Sequence, residues 1–259
     1  MIREAVLTDI FPEVKVVSLK KDQKRRESLM PSLEARGFEA KVFDAIGKEN
    51  LDTALSRLEV KCKRKGLTVG EIGCALSHSS IYDGVPDDCN YILILEDDVI
   101  PLRDNDLRFG LGGDVERGEL MLLGVSSKGE WLAAKRSKEK IRKLGVEWVQ
   151  LDIFSIFFLR GTCSYLISRD TAKDILAVQR NELQVADAWW HFFKRRAIKK
   201  VFYSEFFKHP EVNASQSNLE ESRMSGRRMH SRYLRKAFKV LVFWSLFSVR
   251  GFLGSKYIQ

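Results

Sequence analysis

The chain has 259 residues, 44% of them hydrophobic and 31% charged, which excludes a disordered or fibrous protein and leaves enough apolar residues for a sizeable core. The net charge of +9 is unevenly distributed, because residues 222–259 contain nine Arg or Lys and no Asp or Glu. The rest of the chain is neutral, with 35 basic and 35 acidic residues. This balance argues against a nucleic-acid-binding face spread over the body of the protein.

The N-terminal segment has Arg3, Glu4 and Asp9 where a signal peptide needs an apolar run. No run of 18 apolar residues is present, so no transmembrane helix is expected. The four cysteines form no C-x-x-C pair, which argues against a structural zinc site. We therefore expect the chain to stay in a reducing cytoplasm.

The first predicted elements form a βαβ unit. Strands are predicted over residues 14–19 (VKVVSL) and 40–45 (AKVFDA), with a charged helix between them that ends at Gly37. Pro31 predicts that this helix either begins near Met30 or is kinked. Two strands joined by a helix over so short a segment favour parallel pairing and an α/β fold.

The middle of the chain predicts one helix and one central strand. Thr68 begins a helix, and Glu71 three residues later is typical of a capping box. Residues 91–95 (YILIL) are continuously apolar, which predicts a strand covered on both faces. Residues 48–66 are predicted to be a charged helix or loop, and 128–145 a solvated segment or loop.

The later elements follow the same reasoning from apolar runs and caps. Ser168 is the predicted N-cap of its helix. The later loop begins at His209. Strands are predicted over residues 120–125, 154–159, 164–167 and 201–207, and helices over 168–178 and 185–193.

Three acidic residues, Glu96, Asp97 and Asp98, follow the predicted central strand. Ligand sites of α/β sheets lie at the carboxyl ends of strands, and carboxylates there can hold a hard divalent cation. Glu96 and Asp98 point to the same side if the strand continues, so both could converge on one ion. Alternatively, Asp98 binds the ion alone and Glu96 contacts the nucleotide or packs beneath the site. The alternative interpretation, without any ligand, is a polar turn that ends the strand.

Two motifs in this order resemble glycosyltransferase family 25, the lipooligosaccharide galactosyltransferase-like family: residues 67–78 (LTVGEIGCALSH) and 91–99 (YILILEDDV). Residues 16–29 (VVSLKKDQKRRESL) and 161–176 (GTCSYLISRDTAKDIL) are similar to further blocks of that family. The resemblance covers roughly residues 14–217. Pro31 and the basic segment 128–145 depart from the family pattern.

The resemblance implies a GT-A-like fold, with a Rossmann-like, mostly parallel central sheet flanked by helices. It also implies an inverting, metal-dependent transfer of a hexose, most often galactose from UDP-galactose, to a saccharide of bacterial lipooligosaccharide or lipopolysaccharide. The metal would be Mn²⁺ or Mg²⁺. We predict a catalytic domain over residues 1–221 and a separate tail over 222–259.

The metal and nucleotide residues follow from these motifs. Asp98 is the first candidate metal ligand, assisted by Glu96 or Asp97. His209 could be a third ligand, could contact the diphosphate, or could be an ordinary histidine of a loop. Arg25 or Arg26 could bind a phosphate or the base, and we expect only one of these adjacent residues to face inward. Two further candidates for nucleotide contacts are Glu71, which could instead only complete its capping box, and Gln216.

Two residues are candidates for the general base. Asp187 stands among apolar residues that would raise the pKa of its carboxyl group, and Trp189 and Trp190 beside it could stack on an acceptor sugar. In the competing interpretation the tryptophans fill the core and Asp187 caps its helix. His78 is the second candidate, since its reference pKa is near neutrality, although a buried structural histidine is a close alternative.

The basic tail contains a ten-residue stretch, 240–249, that is apolar except for two serines and too short to span a bilayer. With Arg and Lys on both sides, it is typical of a helix lying on an anionic membrane. A core helix, a dimer contact and RNA binding are the alternatives. We therefore expect a peripheral protein of the bacterial inner membrane's cytoplasmic face that acts on a lipid-linked saccharide.

The leading hypothesis is thus a metal-dependent glycosyltransferase. The alternative, from another class, is a noncatalytic membrane- or nucleic-acid-associated binding protein on a degenerate transferase scaffold.

Overall fold

An eight-stranded sheet organises the protein, with the strand order β2-β1-β3-β8-β5-β9-β7-β6. The computed structural model describes residues 13–61, 66–102, 115–124 and 139–210. A separate two-stranded pair is formed by β10 and β4. The strands are β1 (Glu13–Ser18), β2 (Ala40–Asp44), β3 (Tyr91–Glu96), β4 (Ile100–Pro101), β5 (Glu119–Leu122), β6 (Lys140–Lys143), β7 (Val146–Gln150), β8 (Ser164–Ser168), β9 (Lys200–Tyr203) and β10 (Phe207–Lys208).

The sheet is mixed and mostly parallel. Strand β1 pairs in parallel with β2 and β3, and β5 pairs in parallel with β9. Strand β8 is antiparallel to both β3 and β5, and β7 is antiparallel to both β9 and β6. Only β8 and β7 therefore run against the other six strands of this sheet. The predicted α/β class with a mostly parallel central sheet is confirmed.

Helices cover both faces of this sheet, as the alternation of side chains along β3 shows. Ile92 and Ile94 belong to the core on one face, and Leu93 and Leu95 belong to the core on the other. All four are fully buried, which confirms a central strand covered on both sides. The helices are α1 (Gln23–Glu34), α2 (Leu51–Arg57), α3 (Val69–Asp83), α4 (Ile153–Phe158), α5 (Arg169–Asn181) and α6 (Trp189–Lys194).

The predicted βαβ unit is confirmed, with one difference in its helix. Helix α1 begins at Gln23 and continues through Pro31, so the expected start near Met30 is wrong. Its apolar face is formed by Leu29 and Leu33, which are buried against the sheet. Gly37 follows the helix with a φ of +80°, in the left-handed region that favours glycine.

The two predicted N-caps are confirmed. Thr68 accepts a hydrogen bond from the backbone of Glu71, whose carboxylate accepts one from the backbone of Thr68 in return. Ser168 accepts a hydrogen bond from the N–H of Thr171 and so caps α5. These caps fix the starts of the two long helices that pack on one face of the sheet.

Four predicted elements differ from the structure. The strand expected over 201–207 is divided into β9 (Lys200–Tyr203) and β10 (Phe207–Lys208). Residues 154–159 were expected to form a strand, but residues 153–158 form α4, because Asp152 accepts a hydrogen bond from the N–H of Ser155 and caps a helix. A short apolar run is compatible with either a strand or a helix, and the cap at Asp152 favours the helix here. The basic segment 128–145 contains strand β6, which pairs with the unpredicted β7. The helix expected over 185–193 begins only at Trp189 and ends at Lys194, as α6.

Among the described residues, no helix combines the length and apolar character that a membrane crossing requires. The predicted boundary at residues 221 and 222, the whole basic tail, and the greater part of the segment 128–145 lie outside the described residues. The division into domains therefore stays a prediction.

Candidate active site

The candidate site lies where three parallel strands end at the same edge of the sheet. Strand β1 ends at Ser18, β2 ends at Asp44, and β3 ends at Glu96, with Asp97 and Asp98 in the turn that follows. Apolar residues upstream in each strand hold these ends in register, because β1 pairs with both neighbours. The acidic triplet is therefore presented at the carboxyl edge, as its place in the sequence predicts.

Three side chains meet in this region: Glu96, Asp98 and His209 each offer one potential ligand atom, and these atoms all lie within 4.8 Å of one another. The Nε2 atom of His209 is 3.4 Å from Oδ2 of Asp98 and 4.0 Å from Oε2 of Glu96. Two carboxylates and an imidazole can together bind a divalent cation.

His209 reaches the acidic residues because β10 pairs with β4. Strand β10 immediately precedes His209, and β4 closely follows Asp98. The Nδ1 atom of His209 is 2.8 Å from the carbonyl oxygen of Pro210. A carbonyl can only accept, so Nδ1 is the donor in this contact, and Nε2 is the ring nitrogen that faces Glu96 and Asp98. A metal-binding histidine is commonly oriented in this way.

Asp98 supplies the strongest indication that a cation fits here. Its Oδ1 atom is buried and has no hydrogen-bond partner among the described residues, and Nη1 of Arg25 lies 3.5 Å from its Oδ2 atom. A carboxylate oxygen that is buried without a partner is costly, and a bound cation would satisfy it. The residues present thus fit Mn²⁺ or Mg²⁺, which prefer oxygen ligands and accept an imidazole.

Burial and the charge of Asp98 raise the pKa of Glu96 to about 7. The hydroxyl of Thr162, which donates to Oε1 of Glu96, acts in the opposite direction, as does His209. The charge of Asp187 raises the pKa further, which places Asp187 near this carboxylate. A cation at the cluster would offset the repulsion between the carboxylates.

Asp97 is separated from this cluster by its own hydrogen bonds. It is buried, accepts a hydrogen bond from the hydroxyl of Ser18 at 2.6 Å, and accepts another from Arg25 at 3.2 Å. Burial raises the pKa of Asp97, while these two hydrogen bonds lower it. Of the two assisting ligands left open by the sequence, the geometry therefore favours Glu96, and Asp97 ties β3 to β1.

Both arginines at the start of α1 face the carboxyl edge, so the expectation that only one could do so is wrong. Arg25 contacts Asp97 and Asp98. Arg26 donates to the hydroxyl of Ser18 at 2.8 Å and to Asp44 at 2.9 Å. Long side chains in the first helical turn can reach two neighbouring strand ends, which places two guanidinium groups beside the acidic cluster.

Asp187 lies in the turn before α6 and does not cap that helix, so the capping interpretation is wrong. Its Oδ2 atom accepts a hydrogen bond from the N–H of Gly161 at 2.8 Å. Trp189 is fully buried and donates from its indole to the carbonyl of Gly161, whereas Trp190 is half-buried. Of the two tryptophans, only Trp190 therefore has exposed surface that could contact an acceptor.

His78 lies in the core, with 1% of its surface exposed. Its Nδ1 atom is 2.6 Å from the hydroxyl of Tyr165, which is 2.6 Å from the hydroxyl of Tyr82. Burial lowers the pKa of His78 to about 4. A neutral imidazole enclosed in this way matches the structural histidine that was the alternative to a general base.

The structure does not test the nucleotide contacts predicted for Glu71 and Gln216. Glu71 completes the capping box of α3, which was one of the two interpretations, and its contact with a nucleotide stays a prediction. Gln216 lies outside the described residues.

Three residues that the sequence did not indicate bind acidic side chains of the site: Ser18, Gly161 and Thr162. Ser18 binds Asp97, Gly161 binds Asp187, and Thr162 binds Glu96. Ser18 lies near the end of the predicted strand 14–19, and Gly161 and Thr162 lie just before the predicted strand 164–167, so these positions were available signals for a role at the carboxyl edge. The partners could not be identified, because they are 26 to 79 residues away in sequence.

Sequence comparisons find similarity between this chain and glycosyltransferases. It is 26% identical over 223 residues to a Haemophilus influenzae protein named "Putative glycosyltransferase", covering 80% of this chain and 75% of that protein. It is 32% identical over 99 residues to the human procollagen galactosyltransferase 2, covering 34% of this chain and only 16% of that protein. Residues 11–109 match the model of glycosyltransferase family 25 (LPS biosynthesis protein), so the predicted resemblance is confirmed over this segment.

A structural comparison returned the Drosophila β1,4-galactosyltransferase 7, a mutant solved in complex with manganese, UDP-Gal and xylobiose. The two chains are 12% identical with a TM-score of 0.41, covering 85% of this chain and 82% of the other. The sheet topology confirms the predicted α/β class, and the GT-A-like fold stays a prediction.

Proposed function

We propose that this protein is a metal-dependent glycosyltransferase that uses a nucleotide-sugar donor. The observation that carries the proposal is the convergence of Glu96, Asp98 and His209 at the carboxyl end of β3. The similarity to glycosyltransferases supports the reaction class, and the buried oxygen of Asp98 supports the cation.

The donor side of the site is formed by the cluster and the two arginines. Glu96, Asp98 and His209 would hold Mn²⁺ or Mg²⁺, and the bound ion would neutralise the negative charge of a diphosphate leaving group. Arg25 and Arg26 lie at the same edge, and their planar guanidinium groups can each donate two hydrogen bonds to phosphate oxygens. In this proposal the arginines exchange part of their contacts with carboxylates for contacts with the donor.

The acceptor side of the site is assigned to Asp187. Its Oδ2 atom is held by Gly161, so the carboxylate is oriented while its other oxygen can accept a proton. The oxygen of an acceptor hydroxyl forms a bond to the anomeric carbon of the donor, and the bond from that carbon to the diphosphate breaks. The hydroxyl proton passes to Asp187. Displacement from the opposite face inverts the configuration at this carbon.

The family resemblance suggests the donor sugar and the acceptor, and the basic tail suggests the location of the protein. We propose galactose from UDP-galactose as the donor sugar and a saccharide of bacterial lipooligosaccharide as the acceptor. The segment that matches the family model supports the acceptor, since that model describes LPS biosynthesis proteins. The similarity over 99 residues to procollagen galactosyltransferase 2 supports the sugar. We also propose that the basic segment 222–259 holds the protein on the inner membrane, where a lipid-linked acceptor would be available.

A donor screen tests the proposed reaction. The protein is incubated with UDP-galactose, UDP-glucose and UDP-N-acetylglucosamine, with Mn²⁺ or with EDTA, and released UDP is measured. We expect release to be fastest with UDP-galactose and to stop in EDTA. Release that continues in EDTA would contradict the metal assignment, and no release from any donor, with or without saccharide acceptors, would favour the noncatalytic alternative.

Liposome co-sedimentation tests the proposed location. The full chain is expected to bind vesicles of anionic lipids, and a chain that ends at Gly226 is expected to remain in the supernatant. Equal binding by both proteins would contradict the role of the tail.

A further inference from the structure

We infer that Thr162, together with the neighbouring Gly161, is a positioning residue that holds the carboxylates of Glu96 and Asp187 in place. This inference rests on the proposed function, because it assigns Glu96 to the metal and Asp187 to the acceptor. It concerns two residues at the entry to β8 that the sequence analysis did not single out.

The first step concerns the hydroxyl of Thr162. This side chain is 4% exposed, and its hydroxyl donates to the Oε1 atom of Glu96. When Glu96 binds a cation its carboxylate is ionised and can only accept hydrogen bonds, so the hydroxyl is the donor in that state. With Oε1 engaged, Oε2 is the atom of Glu96 that lies 4.0 Å from Nε2 of His209. Thr162 thus determines which oxygen of Glu96 is available to a cation.

The backbone around Thr162 is itself fixed to the strand that carries Glu96. The N–H of Glu96 donates to the carbonyl of Cys163 at 2.9 Å, which extends the antiparallel pairing of β3 with β8. The side chains of Thr162 and Glu96 therefore extend from two backbone segments that are already joined by hydrogen bonds. Little movement is available to this pair, which is what a positioning contact requires.

The second step concerns the residue before Thr162. The N–H of Gly161 donates to Asp187 at 2.8 Å, and its carbonyl accepts from the indole of Trp189 at 2.9 Å. Gly161 has a φ of +91°, where a residue with a side chain would be strained. Trp189 is completely buried and packs edge-on against Tyr165 at 5.2 Å between ring centroids. The core therefore holds Gly161, the residue whose N–H binds Asp187.

The two steps combine into one arrangement. Adjacent residues bind two carboxylates from distant parts of the chain, Glu96 at the end of β3 and Asp187 before α6. The separation between the cation side and the acceptor side of the site then depends on one short segment of backbone. Such support by outer-shell hydrogen bonds commonly determines metal affinity and the orientation of reactive groups.

The test compares two substitutions that differ in one hydroxyl. Thr162→Val removes the hydroxyl and keeps the volume, whereas Thr162→Ser keeps the hydroxyl. The Kd of the full-length protein for Mn²⁺ is measured by electron paramagnetic resonance, from the signal of free Mn²⁺, without any sugar donor. We expect about 10- to 100-fold weaker binding for Thr162→Val. We expect Thr162→Ser to stay within about 3-fold of the unsubstituted protein, because its outer-shell hydrogen bond is retained.

Two controls separate positioning from a loss of structure. Thermal unfolding shows whether Thr162→Val folds, and Thr162→Ala replaces it if it does not. The same change is also made in a Glu96→Gln background, where we expect it to alter the Kd by less than about 3-fold, because the oriented oxygen is no longer a strong ligand. An equally large effect in that background would show that Thr162 does not act through Glu96 and would overturn the inference.

The Gly161 half of the arrangement has its own variant. Trp189→Phe removes the indole donor and keeps an aromatic ring, so we expect kcat to fall about 10-fold or more while the Kd for Mn²⁺ and the KM for the donor stay unchanged. Equal kcat in this variant would overturn the Asp187 part. Equal Kd values for Thr162→Val and the unsubstituted protein would overturn the Glu96 part. An unsubstituted protein that binds no Mn²⁺ would instead overturn the proposed function and, with it, this inference.

Discussion

Two histidines of this protein lie in clusters of polar side chains, and their surroundings differ in one decisive respect. His209 faces two carboxylates, and the second nitrogen of its ring is oriented by a backbone carbonyl. His78 faces the phenol groups of Tyr82 and Tyr165 inside the core. Carboxylates attract a cation, whereas the phenol groups in the core only form hydrogen bonds around a neutral imidazole ring. The charge of the neighbours, more than the histidine itself, determines which cluster can do chemistry.

The pKa values express the same contrast. In the cluster of His209, burial and the charge of Asp98 raise the pKa of Glu96 to about 7. In the cluster of His78, burial alone lowers the pKa of the imidazole to about 4. Both environments oppose charge, but only the first contains acidic groups whose repulsion a bound cation would relieve.

The largest loss of activity is expected from a substitution on the acceptor side of the site, at Asp187. Asp187→Asn keeps an oxygen that can accept from Gly161 but removes the base, so kcat should fall about 10²- to 10⁴-fold. The Kd for Mn²⁺ should not change, because Asp187 is not among the three grouped ligands. Steady-state kinetics with measurement of released UDP checks this. Asp170→Asn, an exposed carboxylate on α5, is the matched control. Full activity in Asp187→Asn would remove Asp187 from the mechanism.

Matched substitutions at the two histidines test the comparison directly. His209→Gln should weaken Mn²⁺ binding by at least about 10-fold, with little change in stability. His78→Gln should do the reverse, lowering the free energy of unfolding by about 1–3 kcal/mol through the buried hydrogen bond, with unchanged Mn²⁺ affinity. Urea unfolding and Mn²⁺ titration of both variants give the four values. The comparison fails if both substitutions change the same property.

The pH dependence of stability should show the two clusters with opposite signs. The raised pKa of Glu96 favours its protonated form in the folded protein, so its contribution is present below about pH 4.5 and is lost as the pH rises through about 7. The lowered pKa of His78 gives a contribution that is present above about pH 6.5 and is lost as the pH falls toward about 4.

Denaturant unfolding in EDTA between pH 4 and 7.5 measures both contributions. Glu96→Gln should remove the loss of stability with rising pH, and His78→Gln should remove the loss with falling pH. Each change in the free energy of unfolding should be on the order of 1 kcal/mol across the range, after allowance for solvent screening at Glu96. Curves of the same shape for both variants would contradict the assigned pKa shifts.

The sequence predicted the elements whose signals are local. The capping box of α3, the cap of α5 and the apolar run of β3 each lie within a few neighbouring residues, and all three are confirmed. The helix α4 was mistaken for a strand because its apolar residues show no clear period, although Asp152 was available as a cap.

The site was predictable only in part, because its residues meet through tertiary structure. The acidic triplet and His209 could be named from motifs and residue types. That both Arg25 and Arg26 reach the edge, that Asp97 bonds to Ser18, and that Thr162 bonds to Glu96 depends on pairing between distant strands. Sequence spacing carries no direct information on such contacts.

A Mn²⁺ titration followed by electron paramagnetic resonance measures whether Asp98 belongs to a cation site. The unsubstituted protein should bind one Mn²⁺ per chain. Asp98→Asn should bind at least about 10-fold more weakly while its thermal unfolding is retained. Asp88→Asn, at an exposed carboxylate in the loop after α3, should bind Mn²⁺ like the unsubstituted protein. Binding of one Mn²⁺ with unchanged Kd by Asp98→Asn would contradict the account.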